Sequence, residues 1–216
     1  MAPIFNWCSL MFGLTVVIII MAMIIFLLLS YTSKESKGQE TILLKTKDGY
    51  IKGQLLDSGL VKGQQYSGKQ LVAEGYFLNS IQTGQGKMFY HNGRIRYDGH
   101  FEKGEPSGEG KLYEEDGRLK YSGNFINGYA AGRGKIFDDK GHLKIEGQFK
   151  RVSGFEQFAK DPSLPYGHCR EYYSNGKIKY DGEFENGLWH GQGKLYDSFG
   201  KLLFKGSFNK GKPLIH

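Results

Sequence analysis

A repeat with a period of 24 residues runs through most of this 216-residue sequence. Its most regular part is a five-residue string with glycine in the middle and phenylalanine at the end. This string begins at Ala73, Tyr97, Tyr121, Ile145, Tyr180 and Phe204. Successive copies are 24 residues apart, except for a step of 35 residues before Tyr180. Units of this kind become stable only when they stack on their neighbours, so the period predicts a repeat architecture.

Each unit has the pattern of a β-hairpin. A short polar segment that ends in glycine, such as His91-Asn92-Gly93, follows the first strand of the hairpin. Glycine in the left-handed conformation there is typical of a type I turn with a bulge. In the next strand Tyr97, Gly99 and Phe101 point to one face because side chains alternate along a strand. We expect the missing side chain at Gly99 to leave a slot for an aromatic ring from a neighbouring hairpin.

The composition supports an all-β fold for the part of the chain that carries the repeat. Glycine contributes 32 residues, about twice its average usage of roughly 7%. After residue 30 no window shows an apolar stripe with helical period. A single hairpin is not stable by itself, so the tyrosines and phenylalanines of adjacent hairpins must pack together.

The repeat resembles the MORN family, whose pattern is close to Y-x-G-x-F-x-x-G-x-x-x-G-x-G-x-x-Y-x-x-x-G. The segments 97–117, 121–141 and 180–200 fit this pattern almost throughout. The resemblance implies an elongated, single-layer antiparallel sheet of stacked hairpins. It also implies a binding module, and the bacterial MORN-like antitoxins with similar hairpin units lead us to expect a bacterial source.

A different kind of segment precedes the repeat. Residues 10–29 carry no charge, and the first charged side chain of the chain is Lys34. As a helix at ~1.5 Å per residue these twenty residues would cross the ~30 Å hydrocarbon core of a bilayer. We therefore expect a retained single-pass transmembrane helix. Lys34 and Lys37 follow it, which favours the cytoplasmic side for the repeats.

The sequence is thus predicted to divide into five parts. These are an N-terminal flank (1–9), a transmembrane helix (10–30), a linker (31–41), a degenerate capping repeat (42–72) and the MORN array (73–216) with an insertion at 155–165.

We find no pattern that predicts catalysis. The string Gly-x-Gly-Lys recurs once per unit and lacks the spacing of a phosphate-binding loop. The histidines are scattered, and Cys8 and Cys169 are the only cysteines. Cys169 occupies a glycine position of its unit. We expect a protein that is not an enzyme and that has no metal or cofactor.

Two sets of surface residues are candidates for binding. Aromatic and histidine side chains at the insertion and at the equivalent connections of other units are candidates for a protein partner: Tyr129, Phe155, Phe158, Tyr166, Trp189 and His190. The alternative for Tyr129 and Trp189 is that they pack between units. A recurring lysine is the candidate for an anionic lipid surface: Lys87, Lys111, Lys135 and Lys194. The alternative for the lysines is an ordinary solvated face.

These patterns predict a non-catalytic, membrane-anchored MORN scaffold that binds a protein partner. The alternatives are a tether to anionic lipid and an immunity or antitoxin protein. Nucleic acid is not an expected partner because basic residues are interspersed with acidic ones.

Overall fold

The computed structural model describes residues 41–151 and 163–215. Fifteen β-strands make up this part of the chain, and no helix occurs in it. The strands are β1 (Thr41–Thr46), β2 (Gly49–Leu55), β3 (Val61–Ser67), β4 (Gln70–Leu78), β5 (Ile81–Phe89), β6 (Ile95–Glu102), β7 (Glu105–Tyr113), β8 (Leu119–Ile126), β9 (Tyr129–Phe137), β10 (Leu143–Arg151), β11 (Ser163–Tyr172), β12 (Ile178–Glu185), β13 (Leu188–Tyr196), β14 (Leu202–Asn209) and β15 (Lys212–Pro213).

All fifteen strands belong to one sheet, in which the spatial order equals the order along the chain. Every neighbouring pair is antiparallel, as in β6 with β7 and β10 with β11. The predicted antiparallel sheet of stacked hairpins is therefore confirmed for the described residues. The predicted capping repeat, 42–72, contributes β1, β2, β3 and the first residues of β4 to the same sheet.

The predicted membrane segment and its flanks, residues 1–40, lie outside the described residues. Within the described ranges, no helix has the length and apolar character needed to cross a bilayer. The linker was predicted to reach residue 41, but Thr41 already pairs with Gln54 as the first residue of β1.

The glycine turns named from the sequence have the expected geometry. Gly93 N–H donates to the Tyr90 carbonyl, Tyr90 N–H donates to the Arg94 carbonyl, and Gly93 has a φ of 79°. This is a type I turn followed by a bulge residue in the left-handed conformation. The turns at 114–118, 138–142, 173–177 and 197–201 repeat the pattern. We call this side of the sheet the long-turn edge.

A second set of turns, at the opposite ends of the strands, was missed in the sequence. Asn127 and Gly128 connect β8 to β9 with φ values of 48° and 80°. Two consecutive positive φ values define a type I′ turn, which Asn-Gly favours strongly. The turns at 79–80, 103–104, 186–187 and 210–211 have the same signs of φ. We call this side the short-turn edge, and the insertion leaves and re-enters the sheet there.

The register aligns the central glycines of the units into one row across the sheet. Gly99 pairs with Gly110, Gly110 with Gly123, and Gly123 with Gly134. The row extends from β2 to β14 and contains Gly53, Gly63, Gly75, Gly86, Gly99, Gly110, Gly123, Gly134, Gly147, Cys169, Gly182, Gly193 and Gly206. Directly opposed residues share a face, so these residues form a strip in which every position except Cys169 lacks a side chain. We call it the glycine row.

Tyrosine rings lie on the glycine row. A Cβ added at Gly110 would overlap the hydroxyl and two ring carbons of Tyr97, and one at Gly134 would overlap the same atoms of Tyr121. Each of these rings therefore extends from its own strand over a glycine of the next strand, because Tyr97 is in β6 and Gly110 in β7, and Tyr121 is in β8 and Gly134 in β9. The slot at Gly110 is thus filled by a ring from the neighbouring hairpin, whereas Gly99 itself meets the hydroxyl of Tyr97 from its own strand.

The face that carries these rings is the core of the sheet, and we call it the core face. Tyr97 packs edge-to-face on Phe101 and on Phe125 of the next unit, with ring centroids 5.0 Å apart in both pairs. Tyr121 continues the series with Phe125 and Phe149. Such pairs contribute about 0.5–1.5 kcal/mol each beyond their area burial. The aromatic series thus joins one unit to the next.

The one interruption of the glycine row is compensated on the neighbouring strand. Cys169 stands opposite Gly147, and Ile145 replaces the tyrosine that would otherwise lie above this pair. The Cys169 thiol is buried, and its Sγ lies 3.4 Å from the Gln148 carbonyl oxygen. Burial raises the pKa of this thiol. A smaller aliphatic side chain and a thiol thus share the space that a tyrosine ring fills elsewhere.

Alkaline pH is expected to destabilise the sheet. Burial, with help from the charges of Asp98 and Glu109, raises the pKa of Tyr97 to about 12 from an ordinary value of 10.0. The folded state thus holds the proton more tightly, and this contribution is complete below pH 10 and lost as pH rises through 12. Two pKa units correspond to about 2.7 kcal/mol. Because Tyr97 also donates to the His100 carbonyl, Tyr97→Phe should be about 1 kcal/mol less stable at neutral pH but more stable near pH 12.

Urea unfolding of the wild type and Tyr97→Phe at pH 7.5, 10 and 11.5 measures this effect. A stability difference that keeps its sign over the whole range would show that the Tyr97 hydroxyl titrates as it does in the unfolded chain.

Candidate functional site

The face opposite the core face carries the predicted lysines, and we call it the polar face. Lys87 pairs with Asp98, Asp98 with Lys111, and Lys111 with Ser122. The full cross-strand row is Lys52, Gln64, Glu74, Lys87, Asp98, Lys111, Ser122, Lys135, Glu146, Arg170, Asp181, Lys194 and Lys205. The register thus aligns the four predicted lysines, and we call this row the charged row.

Acidic residues alternate with the lysines along much of the charged row. Lys87 Nζ lies 4.0 Å from Asp98 Oδ2, and Lys135 Nζ lies 3.8 Å from Glu146 Oε2. The row holds seven Lys or Arg residues and four Asp or Glu residues, an excess of three positive charges. A molecule that lies along the charged row therefore meets positive and negative side chains on neighbouring strands. The uniformly positive strip expected for binding a lipid surface is absent from this row.

The strongest local electrostatics lie at the interrupted unit. Arg170 lies between two carboxylates, with Nη1 3.7 Å from Glu146 Oε1 and Nε 3.5 Å from Asp181 Oδ2. The Asp181 charge raises the pKa of the Arg170 guanidinium. Tyr172 donates a hydrogen bond to Glu146, and burial together with this bond raises the pKa of Tyr172 to about 12. His168 Nε2 lies 2.8 Å from Asp181 Oδ1. These contacts hold the charged side chains in defined positions.

Two hollows open on the polar face. The larger has a volume of about 640 Å³, and Arg133, Lys135 and Glu146 line it together with backbone of the glycine row. The second has a volume of about 540 Å³ and lies over the glycine row of the first units, beside Lys62 and Lys87. Volumes of this size are common for ligand sites, and both are shallow parts of a surface that repeats along the sheet.

Trp189, a predicted partner-binding residue, packs inside the array. Its ring stacks on Tyr180 with a centroid distance of 4.7 Å and meets Phe208 edge-on at 5.9 Å. These contacts correspond to the packing alternative for Trp189. The neighbouring residue His190 has its Nε2 3.5 Å from Glu185 Oε2.

Tyr129 and Tyr166 lie at the short-turn edge, and each carries a cation over its ring. The Arg151 guanidinium carbon is 3.8 Å from the Tyr129 centroid, and Lys150 Nζ is 3.8 Å from the Tyr166 centroid. Tyr166 remains 46% exposed. These cation–π pairs brace the two strands from which the insertion extends.

The candidates Phe155 and Phe158 lie outside the described residues, so their place relative to Tyr129 and Tyr166 stays a prediction. The predicted end of the insertion needs a correction. Residues 163–165 belong to β11, where Ser163 pairs with Arg151 and Pro165 with Phe149. The connection therefore ends before Ser163.

A polar cluster on the core face was missed in the sequence. Glu171 Oε2 accepts a hydrogen bond of 2.8 Å from Trp189 Nε1, and Glu171 Oε1 pairs with Lys179 Nζ at 2.8 Å. We call these three residues the Trp189 cluster. The sequence signal for this cluster was Glu171, a carboxylate at a repeat position where other units have Met88, Leu112, Ile136 and Leu195.

The core face also has an open cavity between the second and third units. Its volume is about 430 Å³, and it extends from the short-turn edge, at Gly104 and Gly128, to Arg96 and Lys120 beside the long turns. Met88, Pro106, Leu112 and Ala130 contribute apolar surface. The side chains of Arg96 and Lys120 also line it. We call it the core-face cavity.

In the described ranges, no group of three or more His, Cys, Asp or Glu side chains has an arrangement that could hold a metal ion. The arrangement offers instead two surfaces made by repetition: an alternating charged row on one face and an apolar cavity with cationic groups on the other.

Comparison with known proteins agrees with the repeat architecture. The family model described as the MORN repeat matches residues 74–93, 97–117, 121–142 and 180–198. A model for a variant of the MORN repeat matches residues 165–186, across the end of the insertion. No curated protein matches the chain. The sequence pattern, the hairpin geometry and these matches together show that the chain carries an array of MORN repeats.

Proposed function

We propose that this chain is a non-catalytic scaffold, anchored in a membrane by residues 10–30, whose repeat sheet binds a protein partner. The observation that carries the proposal is the continuity of the charged row across thirteen strands. At the usual strand spacing of about 4.8 Å, the row is about 58 Å long when followed along the sheet. A surface of this length fits a macromolecule better than a small substrate.

The charge pattern favours a protein over a lipid surface. Lys87 and Lys135 each have an acidic neighbour within 4.0 Å. A layer of anionic headgroups would meet repelling carboxylates at four of the thirteen positions of the row. A protein segment with alternating charges can match both signs. The ion pairs of Arg170 already restrict its side chain, so it loses less conformational freedom on binding than an unpaired side chain would.

The anchor follows from the charge-free segment that precedes the repeats. Lys34, Lys37, Lys45 and Lys47 follow that segment, whereas residues 1–9 contain no Lys or Arg. By the positive-inside rule we propose the cytoplasmic side for the sheet. The scaffold would then hold its partner at the inner surface of the membrane.

Site-specific photo-crosslinking in intact cells, followed by alkaline extraction of membranes, tests the proposal. With a benzophenone amino acid at Gln85, on the polar face, we expect an adduct with a protein in the carbonate-resistant membrane fraction. The same amino acid at Lys140, in a turn of the long-turn edge, serves as the control and should give little adduct. Equal adducts at both positions would contradict a role for the polar face.

The double substitution Ile18→Arg and Ile19→Arg tests the anchor in the same assay. Each arginine costs about 2.5–3.5 kcal/mol at the centre of a membrane helix, so the chain should move to the carbonate-soluble fraction. The matched control places the same two arginines in the polar linker, as Ser36→Arg and Gly38→Arg, and should stay in the pellet. A wild-type chain that is itself soluble in carbonate would refute the anchor.

A further inference from the structure

We propose that the core-face cavity binds an aromatic side chain of the partner, preferably tryptophan, that is flanked by carboxylates. This inference rests on the proposed function, and it names the chemistry and the place of one contact with the partner. The Trp189 cluster fills the equivalent place in the fifth unit, which begins at Tyr180, with residues of this chain.

The register makes the two places equivalent. Ala130 pairs with Phe125 as Trp189 pairs with Phe184. Leu112 pairs with Tyr121 as Glu171 pairs with Tyr180. Lys120 and Lys179 each directly precede the tyrosine of their unit. The set Glu171, Lys179 and Trp189 thus corresponds to Leu112, Lys120 and Ala130.

The two places differ because the core-face cavity has no indole ring where the fifth unit has that of Trp189. In the fifth unit the Trp189 ring stacks on Tyr180 at an interplanar angle of 8°, and only about 220 Å³ remains open beside it. In the third unit Ala130 has no ring, and the cavity there has about 430 Å³. An indole entering from a partner would meet apolar surface from Leu112, Pro106 and Ala130.

The charged side chains at the two places indicate which residues of the partner would flank the aromatic side chain. In the fifth unit Glu171 satisfies both the Lys179 ammonium and the Trp189 N–H. At the core-face cavity the residue that corresponds to Glu171 is Leu112, so no carboxylate stands at that position, and the acidic residue of the lining is Glu105. Lys120 Nζ lies 3.4 Å from Glu114 Oε1, and an ammonium has three donors. Arg96 adds a second cation to the lining. A partner carboxylate beside the aromatic side chain would complete the cluster.

Tryptophan and tyrosine are the usual anchors of protein interfaces because they bury a large area with few rotatable bonds. The core-face cavity reaches the short-turn edge, beside the turn at 127–128. A partner segment can therefore reach it from the side of the sheet without separating strands.

Fluorescence anisotropy with the full-length chain in detergent micelles tests this inference. The probe is a fluorescein-labelled peptide with one tryptophan between pairs of glutamates, and the comparison peptide has alanine in place of the tryptophan. We expect the tryptophan peptide to bind at least tenfold more tightly. Ala130→Trp, which fills the cavity from within, should weaken its binding at least tenfold. Ala131→Trp, one residue further along the strand and on the other face, is the matched control and should leave binding unchanged.

A second variant keeps the test decisive if Ala130→Trp fails to fold by circular dichroism. Lys120→Glu should weaken binding of the acidic tryptophan peptide and strengthen binding of a peptide with lysines beside the tryptophan. Equal affinities of the tryptophan and alanine peptides, or a folded Ala130→Trp chain that binds as the wild type does, would overturn the inference. If the adduct at Gln85 persists in that case, only the inference fails; if the adduct is missing as well, the proposed function fails with it.

Discussion

Replacing Gly134 with cysteine is expected to lower the free energy of unfolding by about 3 kcal/mol. Gly134 has ordinary backbone angles for a strand, so the cost comes from space alone. A Cβ there would overlap the hydroxyl and ring carbons of Tyr121. The ring would have to leave its edge-to-face contacts with Phe125 and Phe149, whose centroids are 5.2 Å and 5.4 Å away.

Another unit of this chain already combines a cysteine in the glycine row with an aliphatic side chain in place of the tyrosine. At the interrupted place of the glycine row, Cys169 and Ile145 take the positions that Gly134 and Tyr121 occupy one unit earlier. Tyr121→Ile alone should cost about 2–4 kcal/mol because it leaves a cavity and removes a hydroxyl. The double variant should cost less than the sum of the two by at least 1 kcal/mol, on the order of coupling energies between residues in contact.

Urea unfolding of the full-length chain in detergent micelles measures this cycle. Ser122→Cys is the control, because Ser122 faces Lys135 on the polar face and a thiol there meets no ring. It should change stability by less than about 0.5 kcal/mol. Additive costs of the two core substitutions would contradict the account of the tyrosine ring on the glycine row.

Replacing Tyr180 with alanine is expected to cost about 3–5 kcal/mol, the range for deleting a buried aromatic ring. Tyr180 is 0% exposed, and its ring contacts Trp189, Phe208 and Phe184 at centroid distances of 4.7 Å, 4.9 Å and 5.3 Å. Because each unit contacts only its neighbours, the loss should be felt mainly in β12 to β15. Amide exchange should therefore speed up in those strands while β5 to β8 remain protected.

Tyr180→Phe is the matched variant for this prediction. It keeps the ring and loses the hydroxyl, which donates to the Glu183 and His190 carbonyls, so a cost of about 1 kcal/mol is expected. Faster exchange spread evenly over the whole sheet of Tyr180→Ala would argue against nearest-neighbour stability and for one cooperative unit.

The local features of the fold could be predicted from the sequence. The turn at His91-Asn92-Gly93 and the common face of Tyr97, Gly99 and Phe101 depend only on glycine conformation and on the alternation of a strand. The type I′ turn at Asn127-Gly128 could have been predicted in the same way, but the turns at Lys103-Gly104 and Asn79-Ser80 carry a weaker signal. Their geometry depends on the strands that they join.

The candidate site was less predictable because it depends on register. The four lysines were expected on one face, whereas their alternation with Asp98, Glu146 and Asp181 required the pairing of neighbouring strands. Trp189 was open to two interpretations, and its stacking on Tyr180 became visible only when Glu171 and Lys179 were placed beside it.

The sequence by itself determined the repeat, its period, the long turns and the residue types of the core, because these depend on short-range rules that act within one unit. Only the tertiary structure decided that the glycines line up in one row, that the tyrosine rings lie over glycines of the neighbouring strand, and that Cys169 packs together with Ile145. The physical reason is that a space and the side chain that fills it belong to different strands, and the distance between them exists only after the strands have paired.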